Sequence, residues 1–330
     1  MITDQRSDMT QRTDRTIATS ERRHDALRTA ASCRRFEPRA GLEACVRGFV
    51  ARRVEGPTDS EHLSRFPATA SCSLSWFLEG SAVRVCDEQS TEARIVFRGP
   101  QTQPVVVRHC GPLHMFILLL APDALWWLTG ARVDCHLNRI CPLAAALDYS
   151  WQAMALDVLH ASTDEYRVKQ IEKFLEPRWH AARSRNRAAS WGPAQRHGEW
   201  SRAAKSRAHV FSKGQSRRQL ERQMRTMTGW SARALRGLAR AEDALLLAAH
   251  STQPRVNWAS IAAEAGYADQ SHLCRELRRY TGFSPQQLWR CVPDDDDLWV
   301  YKAWFRPVSV RVAAPGRARH VPAGRRRERP

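Results

Sequence analysis

The chain carries one supersecondary unit twice, and that repeat most limits what its C-terminal third can fold into. Residues 216–235 read SRRQLERQMRTMTGWSARAL, and residues 269–288 read DQSHLCRELRRYTGFSPQQL. Offset by 53 positions, Leu220 meets Leu273, Arg222 meets Arg275 and Arg225 meets Arg278. Thr228-Gly229 likewise meets Thr281-Gly282, Ser231 meets Ser284 and Leu235 meets Leu288, with Met224/Leu277 and Trp230/Phe283 as like-for-like exchanges. Self-similarity at a fixed offset marks two copies of one folding unit. Each copy opens on a residue suited to cap a helix, Ser216 or Asp269, and stops at a glycine suited to a helix C-terminus.

At about 100° per residue, Leu220, Met224 and Met227 form one stripe, and Leu273, Leu277 and Tyr280 form its equivalent. The opposite faces carry Arg218, Arg222 and Arg225 in the first copy and Ser271, Arg275 and Arg278 in the second. Such a helix can lie on a core while presenting groups able to read a nucleic-acid groove. Asn257 is placed to cap a short helix through Trp258, Ile261, Ala262 and Ala265, and Gly266 makes the turn into Asp269. Helix, glycine turn and capped second helix form a helix-turn-helix signature. The first copy has a rougher lead-in, Trp200 to Phe211, with its turn near Ser212-Lys213-Gly214. Leu235 to His250 is a strong helix former that acts as a stiff spacer between the units. A plain helical bundle is the alternative for one amphipathic pair; a duplicated pair with Arg repeated on the polar face weighs against it.

Charge points the same way. The formal net charge is +18 and the pI about 10.4, so a polyanionic partner is expected. Most of the basic residues are Arg, which forks onto phosphate and guanine edges better than Lys does. No secretory signal is visible in the first forty residues, which hold Asp4, Asp8 and Asp14 without an apolar stretch. The run Met115 to Leu120, broken by Pro122 and Asp123, is too short to span a bilayer and reads as a buried strand entering a helix. Nine Cys without a Cys-x-x-Cys pair suit reduced thiols in a cytoplasmic protein.

Composition divides the chain into a disordered arm (1–35), an α+β domain (36–180), a linker (181–198) rich in Arg, Ser, Asn and Gly, an all-α DNA-binding domain (199–305) and a basic disordered tail (306–330). Within the α+β segment, β-like runs are Ser71–Leu78, Ala82–Cys86, Arg94–Phe97, Val105–His109 and Met115–Leu120. Helix-like runs follow at Ala124–Leu128, Leu143–Leu147, Met154–Leu159 and Tyr166–Leu175, the last ending before Pro177. Strands followed by helices predict a small sheet or barrel with helices on one side.

Residues 261–288, IAAEAGYADQSHLCRELRRYTGFSPQQL, resemble the second helix-turn-helix of the AraC/XylS-type transcription regulators. Gly266-Tyr267, Ser271, Leu273, Arg275 and the Gly282-Phe283-Ser284-Pro285 ending carry the likeness. Residues 216–235 match in their second helix, with Ala232 where that family often has Pro. Residues 36–180 resemble the sensor-like region of a subset of these regulators at Phe66-Pro67, Gly99-Pro100-Gln101-Thr102, Pro122-Asp123-Ala124 and Leu128-Thr129-Gly130. The resemblance implies a cupin-like, jelly-roll-derived module for sensing or dimerisation, followed by two helix-turn-helix units that enter major grooves about one DNA turn apart. It implies Arg218, Glu221, Arg222, Gln270, Ser271 and Arg275 as base readers, and Arg225, Arg236, Arg240, Arg278 and Arg279 as phosphate contacts. Glu221 could instead pair with Arg217 or Arg225, and Arg222 and Arg275 could brace the fold. Promoter DNA is the expected partner, with RNA polymerase, a small-molecule effector and a second copy of the chain as further ones, and with no membrane association. A charge-only nucleoid or RNA-binding protein is the alternative.

No cofactor, metal or enzymatic activity is expected. His109, Cys110, His114, Cys135, His136 and Cys141 lack a His-x-His pair with a neighbouring carboxylate, and no nucleophile elbow, phosphate loop or paired-carboxylate motif occurs. Trp76, Phe77, Trp126 and Trp127 could line a pocket, with core packing the favoured fate, and Cys274 is read as a small filler. The acidic run Asp294–Asp297 is read as a solvated turn, with contact to polymerase or to the N-terminal domain as alternatives.

Overall fold

The computed structural model describes residues 31–84, 93–185, 204, 216–251, 256–305 and 309–310. Its N-terminal half is built on two sheets. The strands are β1 (Ala31–Phe36), β2 (Val46–Val54), β3 (Glu61–Phe66), β4 (Cys72–Glu79), β5 (Val83–Arg84), β6 (Ile95–Arg98), β7 (Val105–Cys110), β8 (Leu113–Leu120), β9 (Ile140–Pro142) and β10 (Ser309–Val310). Seven of them form one sheet in the order β10-β1-β2-β8-β4-β6-β9, and β3-β7-β5 form the second. All pairings within the sheets are antiparallel except β1 with β10.

Period-two alternation sorts the large sheet's side chains onto two faces. On one face Leu74, Trp76, Phe97, Phe116 and Leu118 are fully buried. Helices α1 (Pro122–Thr129), α2 (Tyr149–Leu159) and α3 (Asp164–Arg185) supply the matching layer through residues such as Leu125, Trp151, Leu175 and Trp179. The Trp76 indole also donates to Ala155 O at 2.9 Å, tying β4 to α2. The other face turns Val50, Phe77, Val96, Met115 and Ile117 toward Phe66 and Val105 of the small sheet. Because both faces of β8 are covered, LHMFILLL is apolar without interruption. The two layers of strands with helices on one side agree with the α+β module expected from the sequence.

Several expectations need correction. β1 begins at Ala31, inside the residues expected to be a disordered arm, and Ser309–Val310 of the expected tail pair with Arg35–Phe36. β1 lies between β10 and β2, and its residues before the buried Phe36 alternate only between partly buried and exposed, which gives no apolar pattern to find. β2 escapes an alternation scan because its register shifts at Gly48, where φ is +142°. That bulge swaps the phase, so Val46 and then Phe49 and Ala51 share one face. Helix α3 does not stop before Pro177 but runs through it to Arg185, into the region expected as linker. Proline removes one backbone donor on an exposed side of the helix, while Trp179 and Ala182 beyond it are buried in the core and hold the last turns in place. Leu143–Leu147 is only a short 3-10 turn, Leu143–Ala145. The rest of the linker and the first unit's lead-in, Trp200–Phe211, lie outside the described residues.

The C-terminal helices are α4 (Arg217–Thr228), α5 (Ala232–His250), α6 (Trp258–Glu264), α7 (Gln270–Thr281), α8 (Pro285–Cys291) and α9 (Trp299–Phe305). The chain then returns to the N-terminal half. Asp296–Leu298 and α9 pack on β3, where the Trp299 indole donates to Ser64 Oγ at 3.0 Å and stands edge-on to Phe66 with ring centres 5.6 Å apart. Of the roles weighed for the acidic run, contact with the N-terminal domain is the one the structure contains. Among the described residues no helix is long and apolar enough to cross a membrane.

His109 on β7 is buried, with its ring stacked on His62 at 5.1 Å. Burial, then the neighbouring His62 and Arg52, lowers its pKa from 6.5 to about 4. The folded state thus holds a neutral ring, whereas the unfolded chain protonates first as pH falls. The stability this residue contributes is therefore complete above about pH 6.5 and is lost as pH falls toward about 4. His109→Gln should flatten this part of the melting temperature against pH curve between those limits; a curve with wild-type slope would refute it.

Candidate nucleic-acid interface

The repeat seen in the sequence extends to individual hydrogen bonds. Ser216 heads α4 in a capping box: its Oγ accepts from Gln219 N at 3.4 Å, and Ser216 N donates to Gln219 Oε1 at 2.7 Å. Asp269 heads α7, its Oδ1 accepting from His272 N at 2.6 Å. At the other end, Thr228 Oγ1 donates to Met224 O and Thr281 Oγ1 to Leu277 O, both at 2.7 Å. The same hydroxyls accept from Trp230 N at 3.2 Å and Phe283 N at 3.1 Å. Gly229 and Gly282 then close the helices in the left-handed region, at φ +73° and +83°. Ser231 and Ser284 cap the next helices through Ala234 N and Gln287 N. Asn257 caps α6 through Ala259 N and Ser260 N, and the turn at Gly266 leads into α7 as expected.

The apolar stripes are inside. Met224, Met227, Leu273, Leu277 and Tyr280 are each at most 2% exposed, and Leu220 packs on the same core. Burying such a side chain contributes roughly 1.5–3 kcal/mol, enough to fix which way each helix faces. The polar edges consequently point outward: Arg218 and Arg222 on α4, and Gln270, Ser271 and Arg275 on α7, are all exposed. Arg225, Arg236, Arg278 and Arg279 are exposed as well.

Two expected residues are engaged elsewhere. Glu221 Oε1 accepts from Ala232 N at 3.3 Å and lies 3.7 Å from Arg225 Nε, so its carboxylate braces the start of α5. Arg240 bonds Glu276 at 3.3 Å and sits 5.1 Å from the Tyr267 ring centre, joining α5 to α7. Both are pattern-compatible with an outward role, and only packing turns them inward. Of the four aromatic residues considered for a pocket, Trp76 is core, Trp126 and Trp127 stack edge-on at 4.6 Å, and Phe77 lines a cavity between the sheets.

Sequence reasoning gave no role to the turn from Gly99 to Pro104, which meets both recognition helices. Pro100 and Leu137 pack beside Gly229, Pro104 packs beside Gly282, and Ala68 N donates to Tyr280 O at 2.8 Å. Asn138, itself at φ +58°, fixes the turn by accepting from Thr102 N at 2.7 Å and donating its own N–H to Pro100 O at 2.8 Å. The only sequence signal for it was the Gly-Pro-Gln-Thr run, read as a family landmark.

The capped pair α6–α7 and the matching helix α4, packed by one face and exposing arginines on the other, define a helix-turn-helix DNA-binding protein. Residues 213–290 match the family model described as a helix-turn-helix domain. The match places a helix-turn-helix domain of a DNA-binding transcription regulator in the C-terminal region of the chain. No curated protein matches the chain. Among solved structures it is similar to ToxT from Vibrio cholerae O395 bound to (E)-4-(8-methylnaphthalen-1-yl)but-3-enoic acid, at 10% identity and TM-score 0.35, covering 78% of this chain and 97% of that one. ToxT from Vibrio cholerae in a P21 form gives 11% identity, TM-score 0.33, and 72% and 97% coverage. The AraC-like transcriptional activator CuxR gives 12%, 0.30, and 85% and 88%. Likeness this loose adds nothing to the assignment, which rests on the matched domain and its geometry.

An alanine in the left-handed region costs roughly 1–2 kcal/mol. Gly282→Ala should lose about that much in urea unfolding. Gly229→Ala should lose more, because its Cβ would come within 3.2 Å of Leu137 and 3.4 Å of Pro100, against 3.6 Å from Pro104 at Gly282. Equal losses would show that the N-terminal turn does not bear on α4.

Proposed function

We propose that the chain is a sequence-specific regulator that inserts α4 and α7 into adjacent major grooves of promoter DNA, under the control of a small molecule held in the N-terminal region. The observation that carries this reading is the pair of helices capped at matching positions whose apolar stripes are buried while Arg218, Arg222 and Arg275 stand exposed. Arg can fork onto guanine, and Gln270 can pair with adenine, each good bidentate contact supplying about 1–3 kcal/mol of discrimination. Ser271 adds a single hydroxyl. Arg225, Arg236, Arg278 and Arg279 hold phosphates, set register and carry no base information. Glu221 and Arg240 leave the respective sets because other side chains and backbone already engage them.

Residues 36–180 act as the sensor or dimerisation module, residues 199–305 as the reader, and the arginines of the tail add unspecific phosphate attraction. In this reading the protein acts in the cytoplasm. RNA polymerase and a second copy of the chain are further partners in this reading.

The test is competition and mutation on one selected operator. A groove reader survives excess random DNA at physiological salt, whereas a charge-only binder is stripped from it. Arg218→Ala should relax preference at one operator position by about 1–3 kcal/mol. Arg279→Ala should weaken all sequences alike and shallow the salt dependence by about one counterion. Indistinguishable profiles for the two variants across an operator point-mutant series would defeat the assignment of roles.

A further inference from the structure

The two copies of the repeat differ in charge at the edge where α7 meets α5. Glu276 on α7 corresponds, at the offset of 53, to Gln223 on α4, so the first copy has a carboxamide where the second has a carboxylate. Arg240 Nη2 donates to both oxygens of Glu276 at 3.3 Å, and the same guanidinium lies 5.1 Å from the centre of the Tyr267 ring. One turn earlier on α5, the bare Gly237 admits the Tyr280 hydroxyl. A Cβ there would come within 2.6 Å of that oxygen and 3.2 Å of Glu276 Oε1. Burial, and then the Glu276 carboxylate, raise the pKa of both tyrosines, so their hydroxyls stay neutral beside it.

Gly237 and Arg240 share one face of α5, and Glu276 and Tyr280 share one face of α7, because residues three or four apart are neighbours on a helix. A single contact between two helices is a pivot. Two contacts a turn apart along both helices fix roll as well as separation. The chain of contacts continues to α4. Trp230, in the turn between α4 and α5, lies against Tyr280 with ring centres 6.3 Å apart, and α5 starts from the Ser231 cap directly after that turn. The direction of α5 is thus set at the end of α4, and α7 is set on α5. Stability is a weak account of the ion pair: Arg240 is 40% exposed, and a pair that open to water adds little to folding. Geometry is the stronger account. Arg275, the residue next to Glu276, stands exposed on the reading edge, so a roll of α7 would carry its guanidinium off line.

We propose that Arg240 and Glu276 are positioning residues which, with the contact between Gly237 and Tyr280, hold α7 at one angle to α4 and so select the spacing between the two halves of the operator. The proposal rests on the reading of α4 and α7 as groove readers and adds what sets their mutual geometry. The DNA so selected presents its two half-contacts at one fixed helical phase. One inserted base pair turns one half-contact against the other by about 35° and moves it by about 3.4 Å. A held pair of helices cannot follow that change, whereas a hinged pair can.

The experiment uses the full chain and an operator recovered with it from random duplex DNA under excess competitor. Footprinting locates the two half-contacts, and fluorescence anisotropy gives affinity for that operator and for forms with one base pair inserted or removed between them. The wild type should lose at least about tenfold on either change of spacing. Glu276→Gln and Arg240→Met should reduce that penalty to about threefold or less while keeping the base preference at the position read by Arg275, and Arg240→Lys, which keeps the charge, should fall between. Gly237→Ala should flatten the penalty from the α5 side. Adding Tyr280→Phe, which removes the atom that the new Cβ meets, should restore it. A pair that only stabilises the fold would weaken every spacing alike and leave the ratio between spacings at its wild-type value. That result overturns the proposal, as does a wild type indifferent to spacing. If the charge variants do not fold, Gly237→Ala with and without Tyr280→Phe decides. If no sequence survives the competitor, groove reading falls and this inference with it; if an operator is recovered and the ratios do not move, this inference alone falls.

Discussion

Burial of one stripe on each recognition helix is the constraint on which the rest of the molecule depends. Met224 and Met227 on α4, and Leu273, Leu277 and Tyr280 on α7, are sealed into a core that continues without a break into Phe97, Leu118 and Trp151 beneath the large sheet. Once those side chains are fixed, the arginines a half-turn away have no direction left but outward. The same packing converts a charge pattern, which many basic proteins share, into an oriented surface. Long-range attraction to DNA needs only the net charge of +18, whereas base reading needs that orientation.

The continuous core also means that the two halves are mechanically connected. Asn138 bonds Pro100 and Thr102 within the turn between β6 and β7, and that turn sits against the terminal glycines of α4 and α7. The C-terminal segment closes the connection from the other side. Trp299 fills the gap beside Ser64 and Phe66, two residues that also line the cavity, and Tyr301 donates to Thr281 O at 3.1 Å. The cavity, the turn and the ends of the recognition helices are thus consecutive layers. A displacement of β6 has packed neighbours to push on rather than solvent, because interiors this dense do not absorb shifts silently.

The reader was legible because its determinants are local. A cap, a 3.6-residue stripe and a terminal glycine each lie within a dozen residues, and duplication checks each against its counterpart. The N-terminal half was legible in part. β4, β6, β7 and β8 announce themselves by composition or alternation, but β2 hides behind the bulge at Gly48, and β1 carries too little apolar contrast. Pro177 misled for a related reason. Its local cost is real, and what outweighs it is the burial of Trp179 and Ala182 against residues far away in sequence.

The amino-acid order by itself therefore settled that two capped amphipathic helices exist, where they begin and end, and which edge of each carries arginine. Tertiary structure alone decided that Glu221 and Arg240 face partners within the protein and that one turn touches both helix ends. Helix periodicity and capping are set by neighbours along the chain, so they survive in a string of letters. The counter-charge of a buried side chain depends on residues brought together from distant positions, and only the folded core specifies them.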